Sequence, residues 1–363
     1  MKVLFVTLSL GFGGAEKMLT FVAESLSKRG HAVSIANLNC VPAYVNLHRR
    51  AISEDISVTE ASGDRRKSAM DKVRFVLDVA KKEKADVVIG FTEIPNVIAR
   101  IVGMILGIPS VMSERGDPAR TGVGRGLKNS MVLRLINGSK GGVFQTEGAR
   151  DFYGRGLRRR GRVIPNPIFI KGEIPEVEYA EREKSVVSVG RLDNEQKRYD
   201  VMLDAFRLFS DKHPDYVLKL YGKGSDEELI GQWAKDRNLE EKVLFMGLTT
   251  QPMQDIARDG MFLITSDYEG ISNSLLEAMA TGLSCVSTDH TPGGARLLIT
   301  DHENGLLAPV GDAKALAAAM CEFAEDSELA AKCGENAKDV VNRFAPDQIV
   351  DMWESYILKL VKK

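Results

Sequence analysis

The sequence predicts an α/β protein built from two doubly wound, Rossmann-like domains. Apolar runs of strand length alternate with stretches of helical periodicity from the first residues; this alternation breaks around residues 165–185 and then restarts. Such alternation gives a mainly parallel sheet with right-handed crossovers. At 363 residues and 44% hydrophobic, the chain is long enough to fill two cores.

The elements follow in order. KVLFVTLSL reads as a first strand, and AEKMLTFVAESLSKRG as a helix with Met18, Val22 and Leu26 on one side. HAVSIANLN, ADVVIGF, IPSVMSE and KGGVFQTE read as further strands, with PNVIARIVGMILG as a helix between the second and third of these four. PNPIFIKGEIPEVEYAEREK, with three prolines and a charge run, reads as a linker. SVVSVGRL, YVLKLYGKG, KVLFMGL, MFLITSDYEG and LSCVSTDH then read as strands. The helices among them are YDVMLDAFRLFSDKH, DEELIGQWAKDRN and SNSLLEAMATG. From Ala313 the chain is predicted helical, ending in a helix whose Ile349, Met352, Trp353, Tyr356 and Leu360 share a face. The expected domains are residues 1–168 and 169–345, with residues 346–363 as a helix packing back onto the first.

The net charge of −1 conceals an asymmetry. Residues 1–170 carry 27 Lys+Arg against 15 Asp+Glu, or +12, and the remainder 22 against 35, or −13. A basic half suits an anionic membrane surface or nucleic acid. RGLRRRGR, from Arg155 to Arg162, lacks the interleaved aromatics of a single-strand binder, so nucleic acid is disfavoured and a solvated loop is the plain alternative. No signal peptide or membrane-length apolar run is legible, which predicts a cytoplasmic protein. Cys40, Cys285, Cys321 and Cys333 lack metal or redox spacing and are expected to be free thiols.

Open α/β sheets bind ligands at the carboxyl ends of their strands, and three motifs fall there. GFGGAE lets backbone amides approach an anion at a helix start, but Glu16 replaces the last glycine of a dinucleotide fingerprint and Asn37 and Asn39 supply no ribose-binding acid. Nicotinamide binding is therefore disfavoured. In SVGRLDNEQKRYD, Arg191 and Lys197 suit a diphosphate, the first as a fork and the second as a point charge; alone, the stretch also fits a solvated loop. In EGISNSLLE, Ser272 is a predicted N-cap, the amides of Ile271 to Leu275 are expected to be free for hydroxyls or phosphate, and Glu269 and Glu277 flank them. Alone, these two acids also fit a turn residue and a surface helix residue.

Together, GGAE, the GRL…K pair and the E-x7-E spacing of Glu269 to Glu277 resemble the retaining glycosyltransferases of family 4. The resemblance implies a GT-B fold, two Rossmann-like domains facing across a cleft, with an acceptor-binding basic N-terminal domain and a nucleotide-sugar-binding C-terminal domain. GISNSLLEAM, SERGDP and PNP look most like bacterial enzymes that extend lipid-linked or surface oligosaccharides from UDP-hexoses or UDP-N-acetylhexosamines. Arg191 and Lys197 would stabilise the departing diphosphate, Glu277 would bind the ribose, and Glu269 would hold the donor sugar beside Ile271, Ser272, Asn273 and Ser274. Gly13 and Gly14 would let the first loop close over the phosphates, and Leu248 would lie at the base. No metal or other cofactor is expected.

One departure stands out. Many relatives carry a histidine near the end of the fourth strand, where this chain has Arg115, so that either Arg115 takes over contact with the sugar or phosphate or the acceptor is anionic or differently placed; Glu114 and Asp117 beside it are candidates for acceptor hydroxyls. The resemblance and the charge asymmetry together imply a polyprenyl-diphosphate-linked or glycan acceptor and peripheral attachment to the inner membrane face. Arg49, Arg50, Arg65, Arg66, Lys67 and the Arg155 to Arg162 cluster would make that attachment. The alternatives are a sugar-nucleotide epimerase of the same fold and a non-catalytic nucleotide-sugar or nucleic-acid binding protein.

Overall fold

A computed structural model describes residues 1–11, 14–38, 52–62, 68–120, 126–170 and 172–362. The chain divides into two compact units, one of residues 1–166 and 347–363, the other of residues 167–346.

In the first unit the elements are β1 (Lys2–Thr7), α1 (Gly14–Lys28), β2 (Ala32–Asn37), β3 (Ser57–Glu60), α2 (Ala69–Glu83), β4 (Val87–Phe91) and α3 (Glu93–Leu106). They continue with β5 (Ser110–Glu114), α4 (Gly126–Asn137), β6 (Gly141–Phe144), α5 (Glu147–Asp151), α6 (Arg155–Arg160) and β7 (Arg162–Val163). The sheet is parallel, in the order β3-β2-β1-β4-β5-β6-β7, so the strand order reverses at the β1/β4 boundary. Both of its faces are covered, which is why β1 is apolar at successive positions instead of alternating. Val3 and Phe5 enter the cluster with α1, while Leu4 and Val6 enter the cluster with α2 and α3.

The helix Pro346–Val361, although last in sequence, closes the first of these clusters with Ile349, Trp353, Tyr356, Ile357 and Leu360. Trp353 stacks on Phe91 at 5.7 Å, and the Tyr356 hydroxyl accepts from the Gly142 amide at 2.9 Å and donates to the Arg160 carbonyl at 2.7 Å. Only glycine fits at 141, because a Cβ there would lie 2.5 Å from Leu360 Cδ1 and from Tyr356 Oη. Glu354 accepts from Arg29 at 2.6 Å and pairs with His31 at 2.7 Å.

The second unit begins with an extended segment and a 3-10 turn (Tyr179–Glu181). It then runs β8 (Ser185–Val189), α7 (Asn194–Lys197), α8 (Tyr199–Ser210), β9 (Val217–Tyr221), α9 (Glu227–Asp236), β10 (Val243–Gly247), α10 (Pro252–Ile256) and β11 (Met261–Ile264). The rest is α11 (Asn273–Ala280), β12 (Ser284–Thr288), α12 (Gly294–Leu298), β13 (Leu306–Ala308), α13 (Ala313–Glu325), α14 (Ser327–Ala337) and α15 (Val340–Arg343), before α16, the helix Pro346–Val361. Its parallel sheet has the order β10-β9-β8-β11-β12-β13. Val186 faces a core of Tyr199, Phe206, Phe209, Met320 and Phe323, while Val187 faces one of Met253, Leu275, Leu276 and Met279.

One local reading changes. RGLRRRGR is a short helix followed by the first residue of β7, with only Leu157 of Arg155–Arg160 buried. One inward residue is too little for periodicity to show. Arg49, Arg50, Arg65, Arg66 and Lys67 lie outside the described residues, as do Gly13, Asn39 and Cys40. Cys285, Cys321 and Cys333 are free and buried.

Candidate active site

In the second unit the site is assembled where β8, β9 and β11 end. The loops after β8 and β9 touch through glycine: a Cβ on Gly222, at φ +145°, would lie 1.8 Å from the Gly190 carbonyl oxygen. Arg191 follows directly, with its side chain 69% exposed and lightly tethered, Nη2 to Gln196 Oε1 at 3.2 Å and Nη1 to Asp193 at 3.8 Å.

Lys197 closes α7, and its ammonium forms a hydrogen-bonded ion pair with Glu269 Oε1. Both side chains are nearly enclosed, at 15% and 10% exposure. Ser266 Oγ donates to the same carboxylate oxygen at 2.6 Å, and the Glu269 amide donates to the Thr291 carbonyl at 2.8 Å. Burial pushes the Glu269 carboxyl up, but the Lys197 ammonium and the hydrogen bonds from Lys197 and Ser266 outweigh it and hold the group below its ordinary value. The backbone under the pair is fixed by Arg198, left-handed at φ 53°, which bridges Asp200 at 2.9 and 3.0 Å and Asp267 at 3.0 and 3.2 Å. Thr265 Oγ1 adds a bond to the Lys197 carbonyl at 2.8 Å.

His290, just past β12, is wholly buried. Burial lowers its pKa, so the ring is neutral near pH 7. A Cβ on Gly294 would meet its Cε1 at 3.2 Å and the Gly270 carbonyl oxygen at 1.6 Å, so the GG of TPGGAR is what lets this segment lie against the Glu269 loop. Neither His290 nor the Arg198 bridge was singled out in the sequence; the one available signal for His290 was its place at a strand's carboxyl end.

Ser272 caps α11, and its Oγ accepts from the Leu275 amide at 3.4 Å while lying 3.1 Å from Ser274 Oγ. The Leu275 amide is therefore taken by the cap and is not free for a ligand, contrary to expectation. Ile271 is buried in the core beside Leu275, and Asn273, Ser274 and Glu277 are half-buried on α11. Leu248 follows Gly247, itself at φ +77°, and is 73% exposed.

A second constellation lies at the carboxyl ends of β4 to β7 in the first unit. Glu114 closes β5 and is buried, its Oε1 accepting from the Arg115 and Gly116 amides at 3.0 and 3.2 Å and its Oε2 from the Tyr153 hydroxyl at 2.7 Å. Burial raises its pKa despite these bonds. Asp117 is buried and its Oδ1 accepts from the Ala119 amide at 2.9 Å. Arg115 Nη2 donates to Asn166 Oδ1, which also accepts from Gln145 Nε2 at 2.8 Å. Nearer β1, Ser9 Oγ donates to Glu16 Oε1 at 2.9 Å and fixes the acid of GGAE at the start of α1, where Gly14 is the first residue.

Cysteine spacing predicts no metal site, yet the fold brings Cys321 together with His213 and Glu325, their ligand atoms within 4.8 Å of one another. His213 Nε2 and Glu325 Oε1 are 3.4 Å apart. No helix among the described residues is long and apolar enough to cross a membrane.

Two family models cover nearly all of this framework: Glycosyltransferase Family 4 matches residues 12–170 and Glycosyl transferases group 1 matches residues 171–340. The chain is a glycosyltransferase of the group 1 family. The glycosyltransferase is 26% identical over 372 residues to a Campylobacter jejuni enzyme, GalNAc-alpha-(1->4)-GalNAc-alpha-(1->3)-diNAcBac-PP-undecaprenol alpha-1,4-N-acetyl-D-galactosaminyltransferase, covering 99% of this chain and 98% of that one. To the Escherichia coli lipopolysaccharide 1,6-galactosyltransferase it is 33% identical over 156 residues, 41% of this chain and 42% of that one. Among solved structures, Anabaena HepE in complex with UDP-glucose superposes with a TM-score of 0.80 at 19% identity, covering 99% of this chain and 100% of HepE. That likeness establishes a GT-B glycosyltransferase fold, as expected from the three motifs.

Proposed function

We propose that this glycosyltransferase moves a sugar from a UDP-sugar, a UDP-hexose or UDP-N-acetylhexosamine, to a lipid-linked or surface glycan in bacterial oligosaccharide synthesis, with retention of configuration and without a metal. The Lys197–Glu269 pair beside Arg191 carries the reading. Exposed and lightly tethered, Arg191 is available to a diphosphate, while Lys197 is held in a largely dehydrated place where a cation acts strongly on developing negative charge. As the glycosidic bond breaks, charge accumulates on the leaving diphosphate, and the two cations neutralise it in place of a metal ion. Glu269 keeps Lys197 oriented and, with Ser272, Asn273 and Ser274, holds the sugar; Glu277 takes the ribose and Leu248 the base.

The polyprenyl-diphosphate-linked acceptor of the Campylobacter relative and the UDP-glucose bound by HepE support this choice of substrates. The first unit would take the acceptor through Arg115 and Asp117, with Glu114 holding their loop. Its exposed Arg155, Arg158 and Arg159 would attach the protein to an anionic cytoplasmic leaflet.

The deciding experiment pairs binding with turnover. Thermal midpoints are measured against a panel of nucleotides and nucleotide sugars, and transfer is then assayed with the donor that shifts. Arg191→Ala should abolish the UDP-dependent shift. Lys197→Ala should lower kcat by about 10²- to 10³-fold, as for loss of one preorganised charge-stabilising donor. Turnover near wild type in Lys197→Ala would remove Lys197 from the mechanism, and a shift with NAD in place of UDP would overturn the donor class.

A further inference from the structure

Arg115 is a buried cation that makes no ion pair with any acid among the described residues; the Glu114 carboxylate acts on it without bonding it. Its side chain lies between the Phe91 ring, whose centroid is 6.0 Å from the guanidinium carbon, and Asn166, the neutral acceptor for Nη2. Part of the residue reaches the surface, but Nε and Nη1 are closed off from solvent and neither has a hydrogen-bond partner. The neighbouring carboxylate is committed elsewhere: both oxygens of Glu114 serve Tyr153 and two backbone amides, and among the described residues no acid forms an ion pair with Arg115. Burial drives the guanidinium down to about 9, which still leaves it cationic at neutral pH.

A buried guanidinium with two dry donors is costly for a fold to keep. A structural arginine would be satisfied by carbonyls, as Arg182 is, donating to Ala257 and Asp259 at 2.7 and 3.3 Å and to Thr281 at 2.8 Å. Arg115 has no such set. It stands at the carboxyl end of β5, where an open parallel sheet receives its ligand.

We propose that Arg115 is an oxyanion site, and that the acceptor carries a phosphate or carboxylate that accepts from it. Asn166, itself held by Gln145, fixes the guanidinium through Nη2; Nε and Nη1 lie on different edges of its plane, so one of them donates to the anion. This rests on the assignment of the first unit to the acceptor, and it narrows that acceptor to one with an anionic group near the hydroxyl that reacts.

The test uses the full chain saturated with UDP, so that the donor-diphosphate site is filled. Midpoints are recorded against inorganic phosphate and against glucuronate, with sodium chloride at matched ionic strength as control, for wild type, Arg115→Gln and Arg115→Lys. The wild-type midpoint should rise by about 3 to 6 °C at roughly tenfold excess over the dissociation constant, Arg115→Gln should show no rise, and Arg115→Lys part of it. The larger of the two responses identifies the oxyanion. Without added anion, Arg115→Gln should melt no lower than wild type, because it removes a buried charge with two unsatisfied donors; a merely structural arginine would give a loss. The proposal is overturned by equal shifts in wild type and Arg115→Gln or by no shift in wild type. The UDP shift itself, and its loss in Arg191→Ala, reports separately on the donor reading.

Discussion

Lys197 and Glu269 are 72 positions apart, and each is tolerable in its enclosed place only because of the other. Substituting Glu269→Gln keeps the shape but leaves a buried ammonium unpaired, which should cost about 3–5 kcal/mol. A chemical-denaturation midpoint measures the loss. Because the folded Glu269 carboxyl titrates below its ordinary value of 4.5, its contribution to stability is complete above about pH 4.5 and disappears as pH falls through the depressed folded value. Wild type should therefore lose stability in that acid window, and Glu269→Gln should show a flatter profile there. Both residues were legible as site candidates from strand ends and spacing, but their pairing was not. The resemblance assigns the lysine to diphosphate and the acid to sugar, and that the two also bond each other is visible only in the fold. His290 was silent for a related reason: a lone histidine carries no spacing signal, and only the approach of Gly294 to Gly270 brings it to the Glu269 loop.

At the scale of elements, apolar strands buried on both faces announced themselves. β1, β4, β5, β8, β11 and β12 stand where their apolar runs predicted. β3 did not, being a four-residue edge strand, SVTE, with no fully buried position. α2 carries helical spacing in Val73, Val76, Val79 and Ala80, diluted by seven charged residues in AMDKVRFVLDVAKKE. Packing at α16 and at the glycine contact after β9 gives separable tests. Trp353→Ala empties a wholly buried indole site against Phe91 and should cost about 3–5 kcal/mol in the first unit. Gly222→Ala puts a methyl group 1.8 Å from a carbonyl at φ +145° and should cost at least about 1–3 kcal/mol in the second unit. Hydrogen exchange should show the loss of protection confined to β1, β4 and α1 for the first variant and to β8 and β9 for the second; loss spread evenly over both units would contradict the division.

At the scale of the whole molecule, the charge asymmetry is a sequence property that the fold turns into a surface. Arg155, Arg158 and Arg159 are exposed on α6. Near an anionic bilayer each cation is worth about 1 kcal/mol. The triple variant Arg155→Glu, Arg158→Glu, Arg159→Glu should therefore bind vesicles containing phosphatidylserine at least tenfold less tightly at low salt, with donor binding unchanged. Equal sedimentation of the variant and wild type would remove α6 from the attachment.

The first unit is interrupted in sequence by the second, since α16 supplies Trp353 and Tyr356 to a core begun by β1. On a ribosome, the 180 residues from 167 to 346 must be made before that core can be sealed. At about 5–20 residues per second this is a wait on the order of ten to forty seconds. Throughout it the face of Phe91 that Trp353 will cover stays open, while the second unit is already free to fold. Nascent chains arrested before residue 346 should thus be recognised by chaperones through their first half, although that half was translated first.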